Sequence, residues 1–239
     1  MTSVSGLDDG EAAAAAAEFG VALEQVRRDH LISVVLAALA PLAGELVFFG
    51  GTALARTYLP HGRLSEDIDL IAVGDRKSIA TALPGVIERA LRPTHGRVAW
   101  SQRLVDIRDT DPAVLSTDDG ISVRIQLLRG RDYPPWPTEL TDIYQRYAGA
   151  VPVRLRTPTR DAFVVSKTAT WLDRRAPRDL YDLWALARIG AITSSAAELF
   201  VMHGPIRRPP QPWMFASAPT ERNWHEQLAG ADAPDRGAA

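Results

Sequence analysis

The chain has no cysteine among its 239 residues, so disulfides, zinc–cysteine sites and thiol nucleophiles are all excluded. Histidine is sparse as well. His30, His61, His95, His203 and His225 stand apart, with no two at metal-ligand spacing, which argues against zinc. Long apolar runs are missing. The longest, residues 31–43, is interrupted by Ser33 and Pro41 and is too short to cross a bilayer. The first twenty residues carry Asp8, Asp9, Glu11 and Glu18 and no basic residue. They lack the positive start of a secretory signal and read as a frayed tail or a soluble helix. No membrane association and a cytoplasmic location are the expectation. Lysine is nearly absent, occurring only at Lys77 and Lys167, while every other basic residue of the 27 is arginine. Arginine serves at most exposed positions, so each surviving lysine asks for a reason.

What is present fits an ordinary globular chain, with 46% hydrophobic and 23% charged residues and a net charge of −2. The charge is unevenly spread. Residues 1–75 hold eleven acidic and four basic side chains, whereas residues 151–210 hold ten basic and five acidic. A basic second half suits a polyanion and an acidic first half suits cations, although uneven surface arginine explains the counts equally well.

Hydrophobic spacing predicts a helix over 21–43, ended by Pro41 and Gly44, then a short buried strand over 45–49. Gly50-Gly51 turns the chain into a helix over 52–59, which Pro60, His61 and Gly62 break, and a second strand follows over 68–73. A helix is expected over 78–91, then strands over 98–108 and 121–128 with a turn-rich stretch, 110–120, between them. Tyr133-Pro134-Pro135-Trp136-Pro137 marks a boundary or a rigid loop. Thr157-Pro158 reads as the N-cap and first turn of a helix to Arg174, and a further helix spans 178–189 after Ala176-Pro177. The expected organisation is an α/β (α+β) core over residues 1–150, a mixed sheet with flanking helices, followed by a helical region over 151–239.

Two short motifs carry chemistry. Gly50-Gly51-Thr52 lies at a strand-to-helix turn, where glycine lets the backbone approach an anion and the helix start offers free N–H groups. Such a turn by itself is more often structural. Ser65-Glu66-Asp67-Ile68-Asp69-Leu70 opens the next strand. Strand alternation puts Asp67 and Asp69 on one face and sends Ile68 and Leu70 to the core. Paired carboxylates in a partly dry site repel unless a cation lies between them, and Mg²⁺ is commonly held by one or two carboxylates plus substrate phosphates. A bare D-x-D pair is more often a solvated strand end. Together, turn and pair place a phosphate cradle and metal ligands across one cleft.

That combination resembles the nucleotidyltransferase superfamily. Gly50-Gly51-Thr52-Ala53-Leu54 and Arg63-Leu64-Ser65-Glu66-Asp67-Ile68-Asp69-Leu70 resemble, more narrowly, the AbiEii/AbiGii family of abortive-infection toxins, which includes the MenT-like toxins of type IV toxin–antitoxin systems. Lys167, followed by Arg178-Asp179-Leu180-Tyr181-Asp182-Leu183, matches that family's lysine and its next helix opening. The resemblance implies an enzyme that transfers a nucleoside monophosphate from an NTP to RNA, in particular the 3′ end of tRNA, arresting growth under the control of a cognate antitoxin. Asp67 and Asp69 would hold Mg²⁺. Gly50, Gly51, Thr52 and Ser65 would bind the nucleotide, and Lys167 would bind the triphosphate. Asp182, ranked above Asp179, would orient Lys167 or help deprotonate the acceptor, a Lys167–Asp182 ion pair being the plain structural alternative. The strand over 121–127 carries no third acid. Asp106 is the substitute considered, and Arg174 with Arg175 the candidate RNA contacts. Two rivals stand beside this reading: a small-molecule nucleotidyltransferase of the aminoglycoside-modifying kind, and a non-catalytic nucleotide-binding protein of the same fold.

Overall fold

The computed structural model describes residues 6–217 and 219–228. Two helices lead in, α1 (Asp9–Phe19) and α2 (Leu23–Ala38), and strand β1 (Leu46–Phe49) runs directly into helix α3 (Gly50–Ala55). Strand β2 (Asp67–Ala72) and the long helix α4 (Arg76–His95) follow. Strands β3 (Val98–Trp100), β4 (Ala113–Thr117), β5 (Ser122–Arg129), β6 (Thr138–Asp142) and β7 (Arg154–Pro158) complete one mixed seven-stranded sheet. Its order is β3-β4-β5-β2-β1-β7-β6, with β2 parallel to β5 and antiparallel to β1. Helices α5 (Arg160–Arg174), α6 (Pro177–Arg188), α7 (Ser194–His203) and α8 (Glu221–Gln227) close the chain. The fold is of the expected α+β class, a mixed sheet with flanking helices. Among the described residues no helix is long and apolar enough to cross a membrane.

The two faces of the sheet differ, and period-2 alternation is the reason. Ile68, Leu70 and Ala72 of β2 join Val123, Ile125 and Leu127 of β5 in the main core, under α2 and α4. Each of the Ile, Leu and Val side chains contributes about 1.5–3 kcal/mol on burial. The opposite face carries Asp67, Asp69 and Ile71 on β2, beside Arg124, Gln126 and Leu128 on β5. Only its middle is apolar, where Val47, Ile71 and Leu128 cluster with Phe49 and Tyr133.

Several elements differ from the sequence expectation. The strand expected over 98–108 stops at Trp100, and β4 lies inside the stretch read as turns. Polar neighbours on both sides, Asp111 and Pro112 before it and Asp118 and Asp119 after it, hide the alternating burial of Ala113, Leu115 and Thr117. Thr157-Pro158 ends β7 instead of capping a helix. The cap is Thr159, whose side chain accepts from the Ala162 N–H. Strands β6 and β7, TELTD and RLRTP, have weak hydrophobic pattern, and β6 forms one edge of the sheet. β7 lies beside β1, so the sheet draws a strand from beyond residue 150.

A buried charge cluster fastens the first helices to the loop after β6. Asp29 receives Arg56 at 2.9 Å, Arg146 at 3.5 Å and the Tyr147 hydroxyl at 2.9 Å. Burial pulls the Arg56 guanidinium down to about 10, against the pull of Asp29. Removing the one acid would leave two guanidiniums unpaired inside the protein. Asp29→Ala is therefore expected to cost about 3–5 kcal/mol in urea unfolding, the range for breaking a buried ion pair from one side.

Candidate active site

The site begins with the turn after β1. Gly50 has φ of +79°, a region that L side chains rarely adopt, and a Cβ there would overlap Asp69 Oδ2. A Cβ at Gly51 would stand 3.0 Å from the Arg63 guanidinium, 3.4 Å from Ser65 Oγ and 3.8 Å from Lys167 Nζ. Each glycine thus has its own neighbour: Gly50 makes room for the carboxylate pair, and Gly51 for the cations and the serine hydroxyl. The Thr52 hydroxyl turns away, donating to the Asp67 carbonyl, and Thr52 is not among the residues lining the cleft. Its role in this geometry is to tie α3 to β2.

The cleft, about 520 Å³, has Asp67 and Asp69 on its floor. Burial first, and then the charge of Asp67, push the Asp69 carboxyl up to about 6. Asp67 is engaged from the neighbouring strand. Arg124, its register partner on β5, donates from Nε at 2.7 Å and from a terminal nitrogen at 2.8 Å, one bond to each carboxylate oxygen. Two hard oxygen donors side by side, one resisting ionisation, suit a divalent cation with few protein ligands. Among the described residues no group of three His, Cys, Asp or Glu side chains surrounds such a position.

Behind the glycine turn lies a chain of paired charges. Lys167, on α5, is buried and reaches Asp182 Oδ2 at 2.7 Å and Asp179 Oδ1 at 3.2 Å, both on α6. Arg63 holds Asp182 through two bonds of 3.1 and 3.0 Å. Arg174 holds Asp179 at 2.6 and 2.9 Å. Burial raises both acids, but their cations more than offset it, so both carboxyls lie below the ordinary range. The Lys167–Asp182 pair is present as the plainer sequence reading had it, and Lys167 still lines the cleft. Asp182 does not line it; its oxygens are taken by Arg63 and Lys167.

Sequence reasoning misplaced one acid and passed over other residues. Asp106 is not near the carboxylate pair. It sits on an exposed loop, paired with Arg103, near Ala72 and Arg129 at the far ends of β2 and β5. Arg174 lines the cleft, but Arg175 turns to the Trp171 ring and the Met214 carbonyl. Asp179, credited with little beyond a helix-start charge, is fully buried between Lys167 and Arg174. Arg124 and Gln126 belong to the strand noted above only for carrying no third acid, although their register with Asp67 and Asp69 follows once β2 and β5 pair. Tyr133, Pro134 and Trp136 also line the cleft, so the proline-rich segment is a loop, as one of the two sequence alternatives had it, and one that walls the site.

Gly50→Ala is expected to cost about 1–3 kcal/mol from backbone strain and to displace Asp69. A thermal melt reads the first effect. A fall in divalent-cation affinity larger than that of a Gly74→Ala control, where a Cβ meets nothing within 4 Å, reads the second.

Comparison with known proteins adds the following. A crystal structure of an antigenic nucleotidyltransferase-like protein from Paracoccidioides brasiliensis is similar at 12% identity with a TM-score of 0.40, covering 82% of this chain and 97% of that one. No curated protein matches the chain. The family described as nucleotidyl transferase AbiEii toxin, type IV TA system, matches residues 34–230. With most of its length matched, glycine turn, carboxylate pair and Lys167 included, the chain belongs to the AbiEii family of nucleotidyl transferase toxins.

Proposed function

We propose that the chain transfers a nucleoside monophosphate from an NTP to an RNA acceptor in the cytoplasm, with the 3′ end of tRNA as the acceptor and growth arrest as the result. A cognate antitoxin would be its partner. The observation that carries this reading is the charge of the cleft wall. Among the described residues Asp67 and Asp69 are its only acids, whereas Arg63, Arg124, Lys167, Arg174 and Arg178 all line it. Such a wall suits a triphosphate and a polyanionic acceptor. A cationic aminoglycoside would call for acids that this cleft does not offer.

In the proposed reaction the acceptor hydroxyl forms a bond to the α-phosphorus as the bond to the β-phosphate oxygen breaks, and pyrophosphate leaves. The hydroxyl proton passes to solvent water as the new bond forms, since no side chain of the cleft is assigned as its base. Asp67 and Asp69 would hold Mg²⁺, which when bound neutralises charge developing on the phosphates. Gly50 and Gly51 bring the backbone close to the triphosphate, and Ser65 adds a hydroxyl. Lys167 and Arg63 meet its negative charge. Asp182 is a positioning residue in this scheme, because a carboxylate held by two cations is a weak base. Thr52 would contribute only its place in the turn.

The test is incubation with each radiolabelled NTP, Mg²⁺ and total RNA. Labelled RNA is the expected result. A labelled small molecule or no pyrophosphate release would point to the two rival readings in turn. Asp67→Ala and Asp69→Ala are each expected to lower transfer by about 10²–10³-fold or more with the fold intact. Wild-type turnover in either would remove the assignment. Transfer should also fall steeply with added salt as phosphate contacts release counterions. Because Arg124 takes both oxygens of Asp67, Arg124→Ala should tighten Mn²⁺ binding by up to roughly fivefold, the worth of an exposed ion pair. Unchanged or weaker Mn²⁺ binding would contradict it.

A further inference from the structure

The proline-rich segment after β5 is not used by the chemistry described so far. Tyr133, Pro134 and Trp136 wall the catalytic cleft, and the same three residues wall an adjoining hollow of about 430 Å³ floored by Val47 and Ile71. Tyr133 packs edge-on against Phe49, with ring centroids 5.6 Å apart, and Trp136 packs against His203 at 6.1 Å. Both rings are only half-buried. Proline at Pro134, Pro135 and Pro137 restricts the backbone that presents them, so little entropy is lost when they meet a ligand.

The order of groups along β2 says which ligand comes this way. Ser65, beside Gly51 and Lys167, precedes the strand. Asp67 and Asp69 come next, and Ile71 and Val73, which floor the hollow, come last. Cations and hollow therefore lie on opposite sides of the carboxylates. In phosphoryl transfer the attacking and leaving oxygens are roughly in line. With pyrophosphate on the cation side, the acceptor must approach from the side of Tyr133 and Trp136. Arg156, the register partner of Val47, lies at the rim of the same hollow and supplies a charge for a backbone phosphate.

We propose that Tyr133 and Trp136 form a stacking ridge for the unpaired terminal bases of the RNA acceptor, with Arg156 holding a phosphate behind them. This rests on the transferase reading above and adds the acceptor's path: single-stranded, entering over the ridge. Base–aromatic stacking tolerates any sequence, since every base has a π face. The ridge thus selects a frayed or overhanging 3′ end over a blunt duplex, and it does so without reading bases.

The test is fluorescence anisotropy with a short single-stranded RNA bearing 5′-fluorescein and a free 3′-hydroxyl, in the absence of NTP. Trp136→Leu keeps apolar bulk but removes the π face. It is expected to weaken binding from about fivefold to a hundredfold, and Tyr133→Leu similarly. Trp213→Ala, which removes an aromatic 66% exposed elsewhere, should bind as wild type does. A blunt duplex should bind more weakly than the single strand. Wild-type affinity in Trp136→Leu, equal loss in Trp213→Ala, or no RNA binding by the wild type overturns the ridge. A rise in NTP dissociation constant in place of RNA loss also overturns it, assigning the ring to the base of the incoming nucleotide. Transfer assays on the same proteins separate the two readings: RNA held through Trp136 but never labelled would remove the transferase and leave the ridge.

Discussion

Lys167 is held between two buried acids, and much of the site depends on that arrangement. A lone ammonium inside a protein would shed its proton, and a lone buried carboxylate would take one up. Here Arg63, Asp182, Lys167, Asp179 and Arg174 form an alternating row in which every acid touches two cations. The row contains three cations and two acids, so one positive charge is left over. That surplus stands next to Gly51, where no side chain intervenes. The row also joins parts of the chain far apart in sequence: Arg63 precedes β2, Lys167 and Arg174 lie on α5, and the acids lie on α6. The surplus charge is a reason for this region to attract an anion before any particular chemistry is assigned to it.

The floor of the cleft is balanced the other way. Asp69 resists ionisation because burial and Asp67 both oppose a second negative charge, and Arg124 answers Asp67 alone. The carboxylates and the Lys167 row are thus each incomplete in opposite senses. A polyphosphate carrying a divalent cation would complete both at once, with phosphate oxygens toward the row and metal toward the carboxylates. Neither the metal nor the polyphosphate alone would do so. This complementarity favours an NTP–metal complex over free nucleotide as the species that settles in the cleft.

How much of this was legible in the sequence follows from how local each cause is. The glycine turn and the faces of Asp67 and Asp69 depend on backbone geometry within a few residues, so spacing alone disclosed them. Lys167 stood out because it is one of two lysines in an arginine-rich chain. Asp179 was undervalued because its partners, Lys167 and Arg174, meet it only after α5 and α6 fold against each other. Arg124 needed the register between strands 57 residues apart. The edge strand β6 escaped because an edge needs little hydrophobic pattern, β7 because Arg154 and Arg156 flank its one aliphatic residue, and β4 because its three buried positions are flanked by turn-forming residues. The charge asymmetry between the two halves was a partial guide: Asp67 and Asp69 come from the acidic stretch and Lys167, Arg174 and Arg178 from the basic one. Arg63 and Arg124 come from before residue 150, so the positive wall is assembled from both halves of the chain.

One sheet face explains why stability and function make separate demands on this chain. On β2, Ile68 and Leu70 have no exposure at all, and Asp67 and Asp69, which alternate with them, face the cleft. A one-residue slip of the strand would bury two acids and expose the aliphatics, so the core itself enforces the orientation of the carboxylates. The anchoring cluster at Asp29 lies outside the cleft lining and fixes α2, Arg56 at the end of α3, and the loop after β6. Tolerance to substitution should therefore divide along the strand's period: Ile68, Leu70 and Ala72 answer to packing in the main core, whereas Asp67 and Asp69 answer to charge. The cleft can afford repelling acids and a surplus cation because the opposite face of the same strand carries the hydrophobic stabilisation.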